Sequence, residues 1–138
     1  MTYHILNTNL TYSNEDHEDM LLNGKGSANS VDKLEINKIL KGDFVFLYQN
    51  GVGFVAFGEA DGIVNIENDG NDIGEKHSIY FQPYHLISPP FNREELQNIT
   101  GIGRQDGRFR NTRFGLDDAN GNAIKDLLYK GKRVYTRV

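Results

Sequence analysis

The 138-residue chain has no cysteine and no tryptophan, and only three prolines. Without cysteine there is no disulfide framework, no thiolate metal site and no thiol nucleophile. Without tryptophan, any aromatic face has to come from tyrosine, phenylalanine or histidine. Long apolar runs are missing too: nothing approaches the roughly 18 residues that a membrane-spanning helix needs. The opening MTYHILNTNLTYSNEDHEDM lacks the basic start and apolar stretch of a secretory leader. The expectation is one soluble, cytoplasmic domain covering residues 1–138, large enough to bury about two-thirds of its unfolded surface.

The net charge of −4 conceals an uneven distribution. Residues 1–100 carry −9 and residues 101–138 carry +5. Arg104, Arg108, Arg110 and Arg113 fall within ten residues of one another. Such a cluster is either a solvated strand edge or a contact for phosphate, whose oxygens match the guanidinium fork. The acidic remainder argues against broad duplex binding, which needs a larger basic face.

The most ordered local signal is Lys41 to Gly62. Phe44, Phe46 and Tyr48 alternate with Val45 and Leu47, Asn50-Gly51 interrupts, and a second β-run follows. Asn-Gly between two such runs predicts a hairpin with a type I′ turn. Gly53 and Gly58 in the second run mark bulges or close approaches to the backbone.

Elsewhere the elements predicted are short. Thr2 to Leu6 reads as a strand ending in polar Asn7 and Thr8. Ser13 or Asn14 caps an acidic helix to Leu22, closed by Gly24. Residues 24–30, GKGSANS, lack periodicity and read as a loop, either a connector or a backbone-lined binding surface. Asp32 to Leu40 fits a short helix. Gly62 to Lys76 reads as a flexible excursion, and its fit to a calcium loop fails because the twelfth position is Lys76. His77 to Ile87 is a strand that Pro83 should bend or confine to an edge, and Pro89-Pro90 should end it. Asn92 and Glu95 form a capping box for a helix to Ile99. Arg108 to Leu116 reads as a strand, Asp117 or Asp118 caps a final helix closed by Gly131, and Lys132 to Val138 adds a last strand. With five or six strands and three or four short helices, the expected class is α+β around a small mixed or antiparallel barrel.

Catalytic signatures are sparse. His4, His17, His77 and His85 form no close ligand pair, and no nucleophile elbow occurs. The carboxylates cluster at helix starts and turns, where capping accounts for them. A metal-dependent nuclease would need groups such as Asp43, Glu59 and Asp61 to converge with Lys41. The reading is non-enzymatic, with no metal and no cofactor.

The stretch INKILKGDFVFLYQNGVGFVAFGEADG resembles the core of the EVE and YTH branch of the PUA-like fold, in which a GD-x-V-x-FY strand precedes a G-I-V-G-x-G-E strand. The later R-x-T-x-F pattern, here Arg110 to Phe114, falls in the matching order. The resemblance implies a PUA-like mixed barrel of five to six strands. It also implies a pocket holding a flipped, modified nucleobase of DNA or RNA. It places Asn7, Thr8, Lys25, Gly26, Ser27 and Asn29 at the pocket, with Tyr48 or Tyr80, or else His77, Phe81 or Tyr84, as the stacking face. Arg108, Arg110 and Arg113 are the expected phosphate contacts. The alternative ligand is a free nucleotide or a nucleotide-derived signal of phage or bacterial defence, and an effector protein is a possible partner. No membrane partner is expected.

Overall fold

The computed structural model describes residues 2–8, 13–103 and 106–136. The chain is α+β, with seven strands in one sheet among the described residues. The strands are β1 (Tyr3–Asn7), β2 (Lys25–Asn29), β3 (Phe44–Gln49), β4 (Gly53–Asp69), β5 (Asp72–Phe91), β6 (Arg113–Leu116) and β7 (Val134–Thr136). The helices are α1 (Asn14–Asn23), α2 (Arg93–Thr100) and α3 (Asp118–Lys130), with 3₁₀ segments at Ser30–Lys38 and Gly107–Arg110. The sheet runs β2-β5-β4-β3-β1-β6, and β7 also pairs with β5. Only β1 and β3 are parallel; the other pairs are antiparallel. No pairing joins β2 to β6, so these strands form an open path where a closed barrel of five or six strands was expected.

The alternation read in β3 is what divides the core. Phe46 and Tyr48 join Tyr3, Phe54, Phe57 and Phe91 on one face, under α2 and α3. Val45 and Leu47 join Leu6, Met20, Ile36 and Ile79 on the other, under α1 and the first 3₁₀ segment. A strand buried on both faces packs two layers at once, which is why β3 carries no polar residue between Phe44 and Tyr48.

Local signals held at the helix ends. Ser13 Oγ accepts from Asp16 N, Asn92 and Glu95 form the capping box, and Asp117 caps α3. Gly24 closes α1 in the left-handed conformation. The hairpin also formed, but its loop is three residues long, between paired Gln49 and Gly53. Of Asn50 and Gly51 only Gly51 has a positive φ, so the turn is not type I′. At Gly53 a Cβ would run into the backbone of Phe91, the close approach that its position in the strand suggested.

Several expectations need correction. Residues 25–29 are not a loop but β2, paired with Lys76–Tyr80 of β5. At Gly26 a Cβ would run into Leu6 and Phe81, and Ala28 joins the same core cluster. Residues 62–76 are not a flexible excursion: β4 and β5 continue through them as one long hairpin. Of the two outcomes expected at Pro83, an edge or a bend, β5 does not become a sheet edge. Its pairing with β4 is irregular there, between the Gly58–Tyr84 and Ala60–Phe81 pairs, and Pro83 also falls between the stretches that pair with β2 and with β7. Pro89 and Pro90 do not end the strand, which reaches Phe91. The helix expected at Asp32–Leu40 is a 3₁₀ segment that starts at Ser30. The strand expected from Arg108 begins only at Arg113, because Asp106 caps a 3₁₀ turn at Gly107–Arg110.

A candidate ligand-binding cavity

The ends of β1 and β2 and the segment 109–112 meet around a cavity of about 490 Å³. Asn7 N–H donates to Thr112 O at 2.8 Å, which lays that segment along the end of β1. Asn7, Ser27, Asn29 and Arg110, four of the predicted site residues, all line this cavity. They come from three distant parts of the chain. Asp32, Asn50, Phe109 and Thr112 complete much of the wall and were not anticipated. Phe109 in particular left no trace in the sequence, where it is one aromatic inside an arginine run.

Phe109 is buried and is the aromatic residue that lines this cavity, where Tyr48 or Tyr80 was expected. Tyr48 lies behind it, with ring centroids 4.9 Å apart, and the Arg93 guanidinium sits 3.9 Å from the Phe109 centroid. Arg93 Nη2 donates to Gly103 O at 2.8 Å and Nη1 to the Tyr48 hydroxyl at 3.3 Å, fixing the stack from below. Tyr80 is on β5 beside Lys25 and does not line the cavity.

Two buried polar atoms on lining residues, Ser27 Oγ and Asn29 Oδ1, have no hydrogen-bond partner. Such atoms are uncommon, because an unsatisfied buried acceptor costs about 1–3 kcal/mol. The orientation of Asn29 follows from chemistry. Its amide lies 2.9 Å from Asp16 Oδ2, and a carboxylate oxygen only accepts, so the NH₂ group faces Asp16 and the carbonyl oxygen is the atom left over.

The arginines part company. Arg108 is bound by Asp106, whose carboxyl it holds down to about 2, and its guanidinium lies over the Phe114 ring. Arg113 Nη1 donates to His4 Nδ1 at 2.9 Å, and Arg113 Nε lies 3.5 Å from Glu35. A guanidinium only donates, so His4 Nδ1 is bare and Nε2–H donates to Asp43 Oδ2 at 2.8 Å: a neutral imidazole, not an ion pair. Burial is the main cause of the lowered His4 pKa; the Asp43 bond opposes it and Arg113 adds to it. Arg110 is exposed at the cavity and has no ion-pair partner among the described residues. Arg104 lies outside the described residues.

The remaining predicted residues have structural surroundings. Lys25 is buried between Asp19 at 2.8 Å and Glu67 at 3.4 Å. Thr8 is fully buried against His17 Nδ1 at 2.6 Å, and a Cβ at Gly26 would meet Leu6. Asp43 is occupied by His4 and by the N–H groups of Thr2 and Leu40. Among the described residues, no three His, Cys, Asp or Glu side chains gather closely enough to hold a metal ion. No described helix is long and apolar enough to cross a membrane.

No family model matches this chain, and no curated protein matches it. Solved structures do. A protein from Pseudomonas syringae superposes with a TM-score of 0.61 at 13% identity, covering 91% of this chain and 98% of that one. A hypothetical protein from Leishmania major gives 0.61 at 12% identity, covering 96% and 98%. A protein from Rhodopseudomonas palustris gives 0.62 at 12% identity, covering 94% of each. At these identities the likeness is one of fold, and it extends over nearly the whole chain.

Proposed function

We propose that this chain is a PUA-like domain of the EVE and YTH kind that binds a nucleobase in the cavity between β1, β2 and residues 109–112, by recognition and not by catalysis. The observation that carries the reading is the meeting of Asn7, Ser27, Asn29 and Arg110 around one cavity with Phe109 in its wall. Asn and Ser groups suit the hydrogen-bonding edge of a base, and a phenyl ring suits its face. An exposed arginine suits a phosphate beside it. The cavity volume is in the range of small-molecule sites. A modified base in single-stranded or locally opened DNA or RNA is the ligand class, and a separate effector would act on the recognition event in the cytoplasm.

One observation favours a second reading, a free nucleotide. Of the described arginines in the cluster, Arg108 and Arg113 are engaged by the protein itself, and a single phosphate contact is enough for a mononucleotide.

A panel of methylated, hydroxymethylated and unmodified oligonucleotides, run beside free linear and cyclic nucleotides in thermal-shift and anisotropy assays at fixed salt, tests both readings. A ligand that binds only the folded state raises the unfolding temperature. Selective stabilisation by one modified oligonucleotide supports the first reading, and a response to free nucleotides alone transfers support to the second. Equal binding of modified and unmodified bases would sink the modified-base reading.

A further inference from the structure

We propose that a second subsite, on the far side of Asn50, takes the base of the nucleotide adjacent to the one in the first cavity, so that the ligand is a nucleic-acid strand. This rests on the base-binding reading above.

A second cavity, of about 510 Å³, is lined by Tyr48, Asn50, Val52, Asn92, Arg93 and Glu94. Asn50 belongs to both walls. The rest of the partition is aromatic: Phe109, from the first cavity, touches Tyr48 of the second and carries the Arg93 guanidinium on its ring. The two spaces are therefore linked through Asn50 and through the contact of Phe109 with Tyr48. Neighbouring bases of a strand splayed over a protein surface occupy spaces related in this way.

The second space holds groups that suit a base. Arg93 is held in place, with Nη1 on the Tyr48 hydroxyl, Nη2 on Gly103 O and its plane on Phe109, and these neutral partners leave its charge uncancelled. Exposed Glu94 balances that charge and can accept from an amino group such as those of adenine, cytosine or guanine. Val52, 38% exposed, offers an apolar contact for the face of a ring. Arg110, by contrast, lines the first cavity, so the two spaces divide the labour: phosphate at Arg110 and flanking base at Glu94.

The test uses single-stranded pentanucleotides, made both as DNA and as RNA, centred on N6-methyladenine, 5-methylcytosine or 5-hydroxymethylcytosine and flanked by adenines. In companion strands the adenine on one side or the other is replaced by an abasic sugar, which keeps every phosphate. The corresponding mononucleotides are titrated alongside. An abasic residue on one side should weaken binding to the wild-type protein about tenfold, the scale of one lost stacked base. The same substitution should cost nothing in Val52→Glu, whose affinity for the mononucleotide should be unchanged. Glu94→Ala, on an exposed position, gives the same readout should Val52→Glu lower the unfolding midpoint. Mononucleotide binding with no penalty at either abasic position overturns the second subsite and leaves the first cavity standing. Failure of every probe to bind overturns the base-binding reading and this one with it.

Discussion

Arg110 is where charge remains available at the cavity, because each neighbouring cation in the described cluster has a partner within the protein. Arg110→Ala should weaken binding of a single-stranded probe and lower the salt dependence of log K by about one unit or slightly less, as loss of one phosphate contact does. Arg108→Ala should leave that slope nearly unchanged. Equal changes in the two slopes, measured by anisotropy from low to high salt, would remove the distinction drawn here. Gly121 makes the point for packing. Replacing a glycine inside a helix by alanine normally stabilises it by about 1 kcal/mol. Here the added methyl would fall on the ring of Tyr3, which is 1% exposed. Gly121→Ala is therefore expected to destabilise by about 1–3 kcal/mol in urea unfolding, the cost of overpacking, and a stabilised variant would contradict the packing described.

At the level of elements, the β4–β5 hairpin is anchored where it leaves the body of the sheet. Lys76 reaches Asp16 and Asp19, Lys25 reaches Asp19 and Glu67, and Ser78 Oγ donates to Glu67. Burial works against the charge on Lys25, yet Asp19 and Glu67 outweigh it and raise its pKa. The lysine thus ties α1, β2 and β4 together. Lys25→Ala should cost about 1–3 kcal/mol, less than breaking a fully buried pair because both carboxylates keep some contact with water. Mononucleotide affinity of the folded variant should not change. A large loss of affinity with stability intact would return Lys25 to the binding site, where the sequence resemblance put it.

For the molecule as a whole, acid should be destabilising well before the carboxylates titrate. His4, His17 and His85 all have pKa values lowered by burial below the ordinary 6.5. Well above a pH of about 6.5 they are neutral in both the folded and unfolded chain, and contribute little pH dependence. As pH falls below that point the unfolded chain takes up protons that the folded one resists, so stability declines until the lower folded pKa values are passed. Asp19, Asp43 and Glu95, lowered from their ordinary values, add a further loss near pH 4 and below. The urea midpoint should therefore be lower at about pH 5.5 than at about pH 7.5, and a flat profile would mean that these histidines are not held neutral.

The amino-acid sequence alone determined the features whose causes lie within a few residues. The caps at Ser13, Asn92 and Asp117, the glycine stop at Gly24, the β3–β4 hairpin and the two-faced alternation of β3 all follow from local side-chain chemistry. Strand β2 was illegible because its identity depends on partners: Gly26 leaves room for Leu6 and Phe81, and only β5 turns Lys25–Asn29 into a strand. The stretch 62–76 misled for a related reason, since its Asn, Asp and Gly residues carry turn propensity while cross-strand pairing and ties to α1 decide the conformation. The cavity divides in the same way. Resemblance pointed to Asn7, Ser27, Asn29 and Arg110, but a list of arginines cannot say which is already paired. Tertiary structure decided that Asp106 takes Arg108, that His4 and Glu35 take Arg113, and that Phe109 becomes part of the wall, because ion pairing and burial are set by residues distant in the chain.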